Sequence, residues 1–358
     1  MTGGTINRSG NRSGSSSGDG AAAPAVFTRA VLELNAEAEC QRICAAIRAT
    51  VFDRFRRKGA IVALSGGIDS STVGALCVRA LGPERVHGLS LPERDSSSGT
   101  PSLSRGVAEH FGIAISEEVI TPVLEAAGCY ERRDEAIRQV LPDYGPGWKS
   151  KIVLPSVVAS DRLRIYSVIA EDPDGERHEA RLSQPAYLGI LAATNFKQRV
   201  RKMFEYHWAD RLHYAVAGTP NLLEYDQGFY VKLGDGAADL KPIAHLYKTQ
   251  VYQLAEHLGV PGEIRDRPPT TDTYSLAQSQ EEFYFSLPYE QMDLCLWAKD
   301  HSVTAAQAAP VLELEPEQVE RVYRDIEAKR RVTEYLAAAP VLIQDQLSQS
   351  SRPEATTA

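Results

Sequence analysis

Two glycines, three serines and one carboxylate crowd a single turn, Ser65-Gly66-Gly67-Ile68-Asp69-Ser70-Ser71. Those residue types at that spacing suit an anion. Backbone N–H groups at a helix start have no intrahelical acceptors, and the aligned peptide dipoles add partial positive charge there. Gly66 and Gly67 let the backbone approach a phosphate, the hydroxyls of Ser65, Ser70 and Ser71 add donors, and Asp69 is placed to hold a magnesium ion whose other ligands are phosphate oxygens. The competing reading is a tight strand-to-helix turn capped by Asp69 or Ser70, but two glycines with Ser, Asp and Ser together favour phosphate. The spelling is neither Gly-x-x-x-x-Gly-Lys-Ser/Thr nor Gly-x-Gly-x-x-Gly, and no lysine follows the glycines.

The elements around this turn must present it. Cys40, Ile43, Cys44, Ile47, Val51 and Phe55 recur at helical spacing and predict an amphipathic helix over 34–57. Ala60 to Leu64 reads as a strand ending at the turn, and Asp69 to Leu81 as a helix stopped by Gly82-Pro83. The alternation continues with a strand at 86–91, a helix at 103–111, a strand at 114–120 and a helix from about Pro122. A helix over 186–212 and a short strand at 214–217 follow. Repeated strand-helix units imply an α/β fold, a doubly wound, mostly parallel sheet covered on both faces. Between them, 163–171 and 177–182 flank Asp172-Pro173-Asp174-Gly175, so the block 141–184 is expected to carry an inserted β-hairpin. A solvent-facing decoration, a dimer contact and a role in acid selection are all open for it. The Gly, Ser and Asn-rich residues 1–25 predict a disordered leader, 26–340 a single domain and 341–358 a flexible tail.

Three further segments carry chemistry. Leu91-Pro92-Glu93-Arg94-Asp95-Ser96-Ser97 ends the second strand. Asn195-Phe196-Lys197-Gln198-Arg199-Val200-Arg201-Lys202-Met203 places Lys197 with Arg201, and Gln198 with Lys202, on shared helical faces, either as a solvated side or as a contact for an anionic substrate. The longest is Gly218 to Gln250, GTPNLLEYDQGFYVKLGDGAADLKPIAHLYKTQ. Ser-Gly-Gly-x-Asp-Ser resembles the pyrophosphate-gripping loop of the N-type ATP pyrophosphatases, a Rossmann-like group. The other segments resemble, within that group, the stand-alone, ammonia-dependent NAD synthetases, from about residue 34 to 335. Pro268-Pro269-Thr270-Thr271-Asp272 and Tyr323 to Arg330 resemble their remaining motifs, with Ala328 standing where the family has histidine.

The resemblance implies ATP binding by Ser65, Gly66, Gly67, Asp69, Ser70, Ser71, Thr219, Lys248, Thr270 and Lys329, with Thr271 as the other register for Thr270. It implies Arg199, Lys232 and Asp239 for the deamido-dinucleotide, and Asp69 and Glu224 for Mg2+. The implied reaction converts deamido-NAD and ammonia to NAD through an acyl adenylate, releasing AMP and pyrophosphate, with Asp69, Glu224 and Lys248 as the catalytic groups. Magnesium and ATP as co-substrate are the implied cofactors. The implied assembly is a homodimer. The chain has no room for a glutaminase domain, which leaves a separate glutaminase as a possible partner. Two alternatives stay open: the same chemistry on another carboxylic acid, and a non-catalytic nucleotide-binding homologue.

Composition sets the outer limits. A net charge of -8 argues against nucleic acid as a partner by bulk electrostatics. No window approaches a membrane span, the first residues lack the order of a secretory signal, and five cysteines without metal-type pairs read as buried thiols in a reducing, cytoplasmic compartment. No Cys/His or Ser/His/Asp arrangement offers a covalent nucleophile.

Overall fold

A computed structural model describes residues 27–97, 99–154, 165–268, 274–276, 278, 284–285 and 287–343. The leader 1–25, most of the tail, and Thr270 and Thr271 lie outside these. The chain opens with α1 (Ala36–Arg48), whose N-terminus is capped by the Asn35 side chain accepting the Ala38 N–H, and which runs on as a wider turn to Arg54. Then come β1 (Ala60–Ala63), α2 (Ile68–Leu81), β2 (Val86–Ser90), α3 (Thr100–Phe111) and β3 (Ala114–Glu117). α4 (Thr121–Ala126) and α5 (Cys129–Arg138) follow, then β4 (Lys149–Val153), β5 (Ser167–Glu171) and β6 (Arg177–Arg181). α6 (Gln184–Leu212), β7 (Ala215–Ala217), α7 (Leu222–Gln227), α8 (Lys248–His257) and α9 (Gly262–Arg265) lead to three final helices, α10 (Tyr289–Asp300), α11 (Ala305–Leu312) and α12 (Pro316–Ala337).

β1, β2, β3 and β7 form one parallel sheet in the order β3-β2-β1-β7, with Val62 opposite both Gly88 and Ala217. Strand alternation divides its side chains between two layers. Ala60, Val62, Ala215 and Ala217 pack with α1, α2 and α8, while Ile61, Leu89 and Val216 pack with α4 and α6. Helices cover both faces, as the doubly wound reading requires. A third apolar cluster joins α10, α11 and α12 to Leu223 of α7 and to Phe27 and Leu32. No helix among the described residues is long and apolar enough to cross a membrane.

Two details depart from the sequence reading. The helix expected from Pro122 is two helices, because Gly128 takes a left-handed conformation (φ 67°) between α4 and α5. The expected hairpin is the outer pair of a three-stranded antiparallel sheet, β4-β5-β6. Its turn is as anticipated, with the Asp172 carboxylate accepting the N–H groups of Asp174 and Glu176. β4 was missed because its inward residues are Ser150 and Ile152 between lysines, which gives only a faint period-two hydrophobic signal. All five cysteines are free and buried, and burial pushes the thiols of Cys77 and Cys295 up to about 12.

Candidate active site

A cleft of about 990 Å³ opens at the C-terminal edge of the parallel sheet, and the β1–α2 turn is part of its lining. Gly66 sits at φ 73°, and a Cβ there would lie 2.5 Å from Leu103 Cβ, so only glycine fits. The serines are cross-tied. Ser65 Oγ accepts the Gly67 N–H at 3.3 Å and lies 3.2 Å from Ser70 Oγ, which donates to the Gly67 carbonyl at 3.1 Å. Ser65, Gly66, Gly67, Asp69 and Ser70 all face the cleft. Ser71 does not: it is fully buried and donates to the Gly67 carbonyl at 2.8 Å inside the first turn of α2.

Two carboxylates from distant parts of the chain meet beside this turn. Asn221 caps α7 reciprocally: its side chain accepts the Glu224 N–H at 3.1 Å, and its own N–H donates to Glu224 Oε2 at 3.2 Å. The same side chain donates through Nδ2 to Asp69 Oδ1 at 3.2 Å, so one asparagine orients both acids. Lys248, the first residue of α8 and fully buried, donates to Asp69 Oδ2. Burial alone would lower the Lys248 pKa, but the charges of Asp69 and Glu224 outweigh it and the ammonium form is held. Glu224 opens partly to the cleft, yet the protein packed around it and the negative charge of Asp69 push its carboxyl up to about 8. The start of α8 is fixed in turn by buried Asp293, which accepts the Thr249 N–H at 2.8 Å.

The opposite wall is α6. Here the basic run resolves into separate jobs, and Lys197, wholly enclosed and outside the cleft lining, fills neither of the two that the sequence left open. Lys197 is fully buried, with Nζ 2.9 Å from Glu93 and 2.8 Å from Asp95; Lys202 is buried against Glu205 at 2.6 Å. Arg201 donates to the Leu91 carbonyl at 3.3 Å and pins the end of β2. Arg199, Arg201 and Lys202 all line the cleft; Arg199 alone of the four is exposed, its Nε 3.3 Å from the Lys232 carbonyl.

The other expected residues divide by position. Thr219, Lys232 and Lys329 line the cleft. Lys232 Nζ donates to the Tyr335 carbonyl and lies 4.2 Å from that ring's centre, while Lys329 donates to the Tyr284 carbonyl at 2.7 Å and pairs with Asp325 at 2.7 Å. Asp239 is exposed and outside the cleft lining; its carboxylate accepts the Val216 N–H at 2.8 Å and the Tyr206 hydroxyl at 3.4 Å, tying the Gly234–Asp239 turn to β7. Sequence reasoning passed over Asn221, Asp235 and Arg267. Asp235 and Arg267 line the cleft, and Asp235 accepts the Val231 N–H at 2.7 Å. An Asn three residues before a Glu at a helix start was a visible capping signal. Nothing local marked Arg267.

A family model described as NAD synthase matches residues 39–140 and 175–333. The chain belongs to the NAD synthase family. Among curated members, the NH(3)-dependent NAD(+) synthetase of Mesorhizobium japonicum is 57% identical over 312 residues, covering 87% of this chain and 98% of its own length. That of Thermotoga maritima is 35% identical over 280 residues, covering 78% and 91%. Among solved structures, NMN synthetase from Francisella tularensis gives a TM-score of 0.57 at 22% identity, covering 87% of this chain and all of that one. NH3-dependent NAD synthetase from Campylobacter jejuni, in complex with the nitrate ion, gives 0.56 at 18%, covering 87% and 99%. These two carry the fold alone. The NAD synthase match spans the β1–α2 turn, α6, α7 and the start of α8, and passes over 141–174, the stretch that holds β4 and β5.

Proposed function

We propose that the chain makes NAD from deamido-NAD, ATP and ammonia, releasing AMP and pyrophosphate. One observation carries the reading: in a member of the NAD synthase family, Asp69 and Glu224 face one cleft beside the phosphate-type turn, with buried Lys248 bonded to Asp69 behind them. A carboxylate is a poor electrophile, so it must first be activated. A nicotinate carboxyl oxygen attacks the α-phosphorus, forming a new P–O bond as the bond to pyrophosphate breaks. Ammonia then adds to the acyl carbon, loses a proton, and AMP departs with the C–O bond. The N–H groups and serine hydroxyls of the Ser65–Ser70 turn hold the departing pyrophosphate. Lys248 offsets negative charge growing between Asp69 and the phosphates. Arg199 and Lys232 hold the anionic acid substrate at the cleft wall.

Asp69 and Glu224 fit a magnesium ion, because two facing carboxylates that share one ammonium favour a divalent cation that lets both ionise. When bound, magnesium supplies positive charge against the triphosphate oxygens. A homodimer is supported by the apolar surface near the cleft mouth, where Leu233, Val332 and Tyr335 are exposed. A cytoplasmic location is supported by the five reduced cysteines.

The test is incubation of the pure protein with ATP, magnesium, ammonium and deamido-NAD while AMP, ADP, pyrophosphate and NAD are resolved. AMP, pyrophosphate and NAD are expected in equal amounts. Formation of ADP, or pyrophosphate release only with a different acid, would overturn the assignment.

A pH dependence of stability follows from Glu224. Its folded pKa, about 8, lies above the ordinary carboxyl value, so its stabilising contribution is fully present below that ordinary value and is lost as pH rises through about 8. Without magnesium, wild-type protein should therefore lose more melting temperature between pH 7 and 9 than Glu224→Gln, which mimics the neutral acid. Equal losses by calorimetry would remove the raised pKa.

A further inference from the structure

The inserted sheet adds a wall to the cleft. Leu154 and Tyr166, at its margins, lie in the 141–174 stretch that the family model passes over, and both line the cleft. Tyr166 stacks on Tyr187 of α6, with ring centroids 4.4 Å apart and planes 14° from parallel. The pair is seated on an apolar cluster that joins Ile152 and Val168 of the inserted strands to Ile137 of α5 and Ile190 of α6. Along α6, Tyr187, Leu191, Thr194 and Gln198 recur at helical spacing and all face the cleft, so the aromatic pair ends a continuous track.

The position of that end is informative. Arg201 bonds the Leu91 carbonyl, which fixes its level on α6 at the edge of the parallel sheet. At 1.5 Å per residue, Tyr187 lies about 21 Å farther along the helix. A nucleotide anchored by its phosphates at the sheet edge does not need this wall. A dinucleotide, which carries a second nucleoside beyond its pyrophosphate, reaches farther.

We propose that Tyr166 and Tyr187 form a stacking platform for the distal adenine of the dinucleotide acid, so that the inserted sheet selects dinucleotide over mononucleotide substrates. Purine rings have large π-faces, and an ordered aromatic pair offers a preformed, low-entropy surface for them. The proposal rests on the function stated above, which supplies the dinucleotide.

Steady-state kinetics on the full chain test it. In Tyr166→Leu/Tyr187→Leu the KM for deamido-NAD should rise about ten- to a hundredfold, the usual cost of losing one aromatic–base stack. The KM for ATP and kcat should stay near wild type, as should the inhibition constant of nicotinic acid mononucleotide, which lacks the distal ring. Tyr166→Phe/Tyr187→Phe keeps both ring faces and should behave as wild type, and melting curves on all variants check folding. An unchanged KM for deamido-NAD, an equal weakening of the mononucleotide, or a rise confined to the KM for ATP would each overturn the platform. Wild-type protein that failed to amidate deamido-NAD would overturn the function instead.

Discussion

Glu224→Gln should slow pyrophosphate release from ATP and deamido-NAD by about a thousandfold, the scale of removing one carboxylate from charge stabilisation worth several kcal/mol. The substitution is informative because it leaves the fold intact. Glutamine at the third position of α7 still completes the reciprocal cap with Asn221, and it resembles the neutral acid that burial and Asp69 already favour. The loss should thus appear in turnover while the melting temperature at pH 7 holds. Asp69→Asn should act in the same direction, and the double variant should lose little more than either alone, since one asparagine, Asn221, orients both acids. Rapid-quench measurement of pyrophosphate separates this step from amidation. Unchanged release in both single variants would remove the metal and catalytic assignments together.

Lys197→Met should cost about 3–5 kcal/mol of stability with a modest effect on chemistry. Lys197 has no exposed surface and is shared between Glu93 and Asp95. Tyr130 donates to Glu93 at 2.7 Å and Arg133 to Asp95 at 2.6 Å, so the network joins α6, α5 and the end of β2. Burial would raise the Asp95 pKa, but Lys197 and Arg133 outweigh it and hold the carboxyl below its ordinary range. With the ammonium gone, enclosed Glu93 loses its cation, while Asp95 keeps Arg133 and, at 3.6 Å, the half-exposed Arg94. Adding Glu93→Gln, which is neutral and still accepts the tyrosine hydroxyl, should recover part of the loss. Urea unfolding with linear extrapolation measures both variants. A single-variant cost below about 1 kcal/mol would show that the pairing contributes nothing beyond that of an exposed ion pair.

These two lysines mark the boundary of what the sequence could reveal. Lys248 sat in a motif, and an ATP-binding role for it was implied by the resemblance; the structure added its burial and its direct hydrogen bond to Asp69. Lys197 sat in an equally suggestive run, yet its partners are about a hundred residues away, in the segment that ends the second strand. The β1–α2 turn was legible because its requirements are local: positive φ at Gly66, clustered donors and a helix start. The strand-helix alternation was legible for the same reason, since apolar spacing reflects short-range geometry.

By itself, then, the sequence determined the parallel α/β framework and the glycine-serine turn at its edge, and it singled out Asp69 and Glu224. Tertiary structure alone decided which charges are neutralised inside the protein and which face the cleft. It also decided that Asn221 ties Asp69 to Glu224 and that an inserted sheet brings Tyr166 against Tyr187. The physical reason is range: backbone propensity and periodicity act over a few residues, whereas burial and Coulomb pairing depend on which distant segments the fold brings within a few ångströms.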